Sequence, residues 1–185
     1  MINLFKFPDI YDVDIYMDEV KNNDFMWKLN NKRQNYNYSQ QETNAIRLRE
    51  LKNKPGIKQV DNHETYEIPY FQTNFPNIKS FTENFIEKYG GKLEMVMIVS
   101  LPPEKTVYPH IDDGEYYKIR DRFHLVLQGI YQYNVGEETA IFSKGELWFF
   151  ENQVKHDSKN IGSVDRISVI FDVLDSNWRE ICNVN

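Results

Sequence analysis

The second half of this 185-residue chain is a series of short apolar runs with no helical segment between them, and that grammar limits the fold more than any other feature. Leu93–Leu101, closed by Pro102-Pro103, is followed by Val107–Asp112, Phe123–Tyr133, Thr139–Phe142, Leu147–Phe150 and Arg166–Leu174. Clusters of Gly, Asn, Glu or Lys separate them. Evenly spaced short strands of this kind predict an antiparallel barrel or sandwich. Twelve Tyr, twelve Phe and three Trp suit a sheet-rich interior.

The first half reads differently. Asp12–Val20 predicts a short helix with Ile15, Tyr16 and Val20 on one side. Asn30–Asn44 is rich in Asn, Gln, Tyr and Ser, the composition of a long surface loop, with a pocket rim as the alternative. Ala45-Ile46-Arg47-Leu48-Arg49 alternates apolar and charged residues, as a half-exposed strand does. Ile78, Phe81, Phe85, Ile86 and Tyr89 give Pro76–Tyr89 a helical stripe, which Gly90-Gly91 ends. With no repeat or linker, one domain is expected over residues 1–185. Residues 1–91 would form a helical and irregular support, and residues 92–185 the β-core.

The formal net charge of −6 argues against nucleic acid or an anionic membrane as partner. The lone Cys182 excludes an internal disulfide framework and a four-cysteine zinc site. No run approaches the roughly 18 apolar residues of a membrane span. Met1–Ile10 lacks the apolar stretch of a secretory signal, so a cytoplasmic location is expected.

Three of the four histidines, His110, His124 and His156, fall inside the expected β-core; His63 does not. In Tyr108-Pro109-His110-Ile111-Asp112-Asp113-Gly114, strand alternation turns His110 and Asp112 to one face and Ile111 to the other. His156 comes after enough chain for strands to return beside the first. Two imidazoles and one carboxylate on one face of an octahedron suit Fe(II) and leave three positions open. Ten residues later, Arg166 shares a face with Ser168 and Ile170, while Ile167, Val169, Phe171 and Val173 share the other. An inward Arg on an apolar strand calls for an anion, either a ligand carboxylate or an acidic side chain such as Asp165 or Asp172. Arg122, His124, Val126 and Gln128 repeat the device opposite Phe123, Leu125 and Leu127. That pair makes a second anion site or a solvated outer face.

The stretch 102–172 resembles the aspartyl/asparaginyl β-hydroxylase family, within the Fe(II)/2-oxoglutarate-dependent dioxygenases. The matching elements are Pro102-Pro103, Pro109-His110, Arg122-Phe123-His124-Leu125, Gly145-Glu146-Leu147-Trp148-Phe149-Phe150, His156 and Arg166–Val173, in the family's order and at similar spacing. The resemblance implies a mainly β fold, a double-stranded β-helix (jelly roll, cupin-like) with N-terminal helices. It implies iron at His110 and His156, and the distal carboxylate of 2-oxoglutarate at Arg166. His124 would contact the cosubstrate, and Ser168 is placed in the same set. Arg122 would face the cosubstrate or a substrate carboxylate. Trp148 and Phe150 fall in a structural motif. Animal members of the family have glycine where this chain has Asp112; the carboxylate makes the ligand set that of the wider superfamily.

The expected activity is hydroxylation of an unactivated C–H in an amino acid, free or within a peptide, with Fe(II), 2-oxoglutarate and O₂ consumed to give succinate and CO₂. Two rivals stand beside it. One is a cupin-like mononuclear metalloenzyme of other chemistry, with metal-bound water as nucleophile. The other is a non-catalytic β-barrel binding module.

Overall fold

Two antiparallel sheets make up the computed structural model of the chain, which describes residues 2–29, 35, 37–52 and 63–184. The larger sheet has seven strands in the order β1 (Leu4–Ile10), β9 (Glu146–Phe150), β6 (Arg120–Gln128), β11 (Arg166–Leu174), β4 (Lys92–Leu101), β2 (Asn44–Leu51) and β3 (Thr65–Glu67). The smaller has four, in the order β5 (Thr106–His110), β10 (His156–Asn160), β7 (Ile130–Val135) and β8 (Glu138–Ser143). From β4 onward the chain passes back and forth between the sheets, which is the jelly-roll arrangement expected for the β-core.

Period-two alternation decides what each face packs against. Phe123, Leu125 and Leu127 of β6 and Ile167, Val169, Phe171 and Val173 of β11 lie on the outer face of the large sheet. They pack there against Phe81 and Phe85 of α3 (Pro76–Tyr89) and Trp178 of α5 (Trp178–Ile181). The Phe123 and Phe171 rings stack with centroids 5.2 Å apart. On the inner face, Val126, Trp148 and Phe150 meet Tyr131, Tyr133 and Phe142 of the small sheet. Burying each such aromatic ring is worth about 1.5–3 kcal/mol. The helix α3 begins with Pro76 in its first turn and buries Ile78, Phe81, Phe85 and Tyr89. It ends where Gly90 adopts φ 70° and donates its N–H to Ile86 O at 2.8 Å.

The structure departs from the sequence reading in several places. The run Phe123–Tyr133 is two strands, β6 and β7, in different sheets. Gly129 between them has φ +83°, and a Cβ there would lie 3.0 Å from Arg166 Cα. Strand β5 stops at His110, so Asp112 lies beyond it. The first helix is α1 (Asp14–Asn22), and it buries Met17 and Val20 while Ile15 is 52% exposed. The remaining helices, α2 (Pro69–Asn74) and α4 (Glu115–Lys118), are single turns or little more. Within residues 1–91 the strand expected at 45–49 is β2, while β1 and β3, which also join the large sheet, were not expected. β1 escapes the sequence pattern because Pro8 interrupts it; the strand lies at the sheet edge, and its register with β9 shifts between Lys6 and Ile10. Of the polar stretch 30–44, residues 30–34 and 36 lie outside the described residues, and Tyr38–Gln40 forms one 3₁₀ turn. No helix among the described residues is long and apolar enough to cross a membrane.

Candidate metal centre

His110 ends β5, and His156 opens the neighbouring strand β10 as its register partner. Their rings lie 4.4 Å apart, centroid to centroid. Asp112 is carried by the segment after β5, not by the strand itself. That segment is pinned by two hydrogen bonds: Asp112 N–H to Asn152 O at 3.1 Å, and Gln153 Nε2 to Asp112 O at 2.9 Å. Asp112 is buried; Ile111 and Asp113 on either side are exposed. One ligand atom from each of His110, Asp112 and His156 lies within 4.8 Å of the others.

The protonation of both imidazoles follows from their partners. His110 Nδ1 lies 2.8 Å from Tyr108 O, and His156 Nδ1 lies 2.9 Å from Val154 O. A carbonyl only accepts, so each Nδ1 carries a hydrogen and Nε2 is the nitrogen left to bind a metal in the neutral ring. His110 Nε2 stands 3.7 Å from Asp112 Oδ1. Burial pushes the His156 pKa down to about 4, against the raising effect of Asp112, so the ring is neutral at neutral pH. Two imidazole nitrogens and one carboxylate oxygen, gathered on one side, fit a divalent first-row metal ion.

Arg122 reaches Asp112 from the large sheet. Its Nε and Nη2 donate to Asp172 Oδ1 and Oδ2 at 2.7 and 2.8 Å, and its Nη1 donates to Asp112 Oδ2 at 2.6 Å. Tyr116 Oη donates to Asp172 Oδ2 at 3.2 Å. Burial opposes the charge on Arg122, but Asp112 and Asp172 outweigh it and hold its pKa well above the ordinary value. The clamp fixes one oxygen of Asp112 and leaves Oδ1 beside His110.

Arg166 is different. It is 2% exposed, and its Nε and Nη1 have no hydrogen-bond partner among the described residues. Its guanidinium carbon sits 4.5 Å from the Tyr131 ring centroid. Burial drives its pKa below the ordinary value, with Tyr131 and Tyr133 only partly offsetting the effect. A buried cation with unsatisfied donors is costly unless an anion meets it. Tyr131 Oη lies 3.2 Å from His124 Nδ1 and 3.4 Å from Ser168 Oγ, which ties these groups into one network. The inner pocket that Arg166 lines with His110, His156, His124 and Ser158 is narrow, about 40 Å³. It adjoins an outer cleft of about 300 Å³; Gln40, Met97, His110 and Arg122 line both.

The structure thus brings His110, Asp112 and His156 together and sets Arg166 and His124 on the same pocket. Ser168 is fully buried and contacts Tyr131. Arg122 lines the pocket with each of its nitrogens already donating to Asp172 or Asp112, so a ligand carboxylate would share the guanidinium with them. His63 is exposed and lies elsewhere. Sequence reasoning missed Tyr131 and Tyr133, whose alternation shows once the run 123–133 is split at Gly129. It also did not place Arg47 at the cleft, which this residue lines from the N-terminal half together with Gln40 of the polar stretch read as a loop or a pocket rim.

Residues 21–176 match a family model described as aspartyl/asparaginyl beta-hydroxylase. No curated protein matches the sequence. Solved structures similar to this chain include the cupin domain of Cnp3 from Schizosaccharomyces pombe, 13% identical, covering 52% of this chain and 71% of that one, with a TM-score of 0.39. A predicted oxalate decarboxylase from Thermotoga maritima is 17% identical over 50% of this chain and 73% of its own, at a TM-score of 0.38. KdgF from Halomonas sp. is 17% identical over 48% and 73%, at a TM-score of 0.35.

Proposed function

The chain belongs to the aspartyl/asparaginyl β-hydroxylase family, and from that premise we propose that it is an Fe(II)/2-oxoglutarate-dependent hydroxylase acting on an amino acid, free or in a peptide. The observation that carries this reading is the buried Arg166 guanidinium, whose Nε and Nη1 lack a hydrogen-bond partner among the described residues, on the pocket that His110 and His156 of the ligand set also line. A hydrolytic metal site needs no such buried cation beside it, whereas a dicarboxylate cosubstrate needs one.

His110 and His156 would hold the metal through Nε2, and Asp112 through Oδ1. When bound, Fe(II) and 2-oxoglutarate supply O₂-dependent decarboxylation to succinate and CO₂, coupled to hydroxylation of a C–H bond. The chain's own part is positioning and exclusion of water. Tyr108 O and Val154 O keep the two rings in the tautomer that binds. Arg122 holds Asp112 still. Arg166 receives the distal carboxylate of 2-oxoglutarate, and Tyr131 braces Arg166 from the ring side. Val99, Ile170 and Phe150 line the pocket with apolar surface and keep bulk water from it. The test is direct: Fe(II)-loaded protein should release succinate from 2-oxoglutarate in air, and omission of iron or O₂ should stop it. Protein that leaves 2-oxoglutarate intact across a panel of amino acids and peptides would sink the reading.

A further inference from the structure

Two guanidinium groups and two carboxylates line the outer cleft: Arg47, Arg122, Asp112 and Asp113. The inner two are bonded to each other, Arg122 Nη1 to Asp112 Oδ2 at 2.6 Å, and Asp172 engages the rest of the Arg122 fork. Arg122 is thus committed to two carboxylates, and Asp112 keeps only Oδ1, which faces His110 Nε2 at 3.7 Å. The outer two are in the opposite condition.

Arg47 lies on β2 opposite Met97 of β4, which lines the cleft with it, and two residues from Ala45, which packs with Met97 and Ile170. Ile46 and Leu48, its neighbours in sequence, go to the core on the other face. The Arg47 side chain is 18% exposed, and its nearest ionic neighbour is Glu50, with Nε 3.9 Å from Oε2. That is beyond hydrogen-bond distance, and the hydrogen bond that Glu50 accepts, from Tyr66 Oη at 2.7 Å, is on its other oxygen, Oε1. The guanidinium makes no hydrogen bond among the described residues. Asp113 accepts from the Gly114 N–H through Oδ1 at 2.8 Å and is otherwise exposed at the cleft. Arg47 and Asp113 form no ion pair with each other.

A cleft that presents one available cation and one available anion next to a metal site is complementary to a zwitterion. Building on the hydroxylase reading of the site, we infer that the substrate is a free α-amino acid, with its carboxylate held by Arg47 and its ammonium by Asp113. The planar fork of Arg47 binds a carboxylate through two parallel hydrogen bonds, which a carboxamide cannot accept in the same way. A residue within a peptide lacks both charged ends and is disfavoured on this arrangement.

Ligand-observed NMR on the Zn(II)-substituted protein tests this without turnover. The probes are the common L-amino acids, each with its primary amide and its N-acetyl derivative. At least one free amino acid should bind, and its amide should bind about 10- to 100-fold more weakly, the range set by one charge-assisted pair. In R47Q that acid should weaken by a similar factor, so that the preference for acid over amide disappears; R47K should restore part of it. D113N should erase the preference for the free amine over the N-acetyl form while keeping that for the acid. Loss of discrimination separates an anchoring role from simple damage to the fold, and R47K serves if R47Q is unstable. Retained discrimination in R47Q, an amide that binds as well as its acid, or no binding by any free amino acid would overturn the inference. Arg47-dependent binding without succinate formation would uphold the inference and count against the hydroxylase reading alone.

Discussion

Replacing Arg122 with Met should destabilise the fold by about 3–5 kcal/mol, the usual penalty for breaking a buried ion pair from one side. The guanidinium makes contacts of 2.7 and 2.8 Å with Asp172 and 2.6 Å with Asp112. Without it, two carboxylates that are 1% and 7% exposed lose their cation, and Asp172 keeps only the longer contact from Tyr116 Oη at 3.2 Å among those described. In a chain of this length each kcal/mol moves the melting temperature by roughly 2–4 °C, so R122M should melt roughly 6–20 °C lower. The double variant R122M/D172L removes one stranded charge along with the cation and should regain much of that loss, because an apolar pair in place of a buried ion pair is often neutral. Metal affinity should behave otherwise. Asp112 loses the bond that orients it, and removing such support weakens binding by about 10- to 100-fold. Both variants should share that defect. The assays are thermal unfolding of metal-free protein by circular dichroism and competition with a chelator for a divalent metal. An R122M protein that melts with wild type, or a double variant with wild-type metal affinity, would refute the reasoning.

Two further outcomes follow from particular residues. Metal-free protein should lose stability as pH falls from 6.5 towards 4, because burial keeps His156 neutral to about 4 while the unfolded chain takes up a proton near 6.5. The folded-state pKa is depressed, so this contribution is complete above 6.5 and is lost on acidification; a pH series of melts on wild type and H156Q should diverge in that window. Gly129→Ala should destabilise by about 1–3 kcal/mol, since φ is +83° and a Cβ would press on Arg166 Cα at 3.0 Å. A G129A melt equal to wild type would mean that the crossing from β6 to β7 relaxes freely.

The β-core was legible because period-two alternation acts locally. Phe123, Leu125 and Leu127 face the helices and Arg122, His124 and Val126 face the pocket, as alternation requires. The same rule placed Arg166 and Ser168 inward on β11. It reached the convergence of His110 and Asp112 by an incomplete route: the strand ends at His110, and what turns Asp112 inward is its backbone bond to Asn152 and its side-chain bond to Arg122. Those partners are distant in sequence and leave no periodic trace. The role of Arg122 was illegible for the same reason, since Asp172 approaches from β11 as its register partner and engages the fork. Gly129 carried the signal that splits β6 from β7, yet an apolar run on both sides hid it. Arg47 looked like the exposed side of a strand, because nothing local tells solvent from a cavity.

The central claim is that Arg166 receives the distal carboxylate of 2-oxoglutarate beside a metal held by His110, Asp112 and His156. Anaerobic calorimetric titration of 2-oxoglutarate into Fe(II)-loaded wild type and R166K measures it most directly. The account predicts one binding site per chain in wild type, and binding weaker by about tenfold or more in R166K, where a point charge replaces the bidentate fork. Equal affinity in the two proteins, or no binding to wild type, would contradict it.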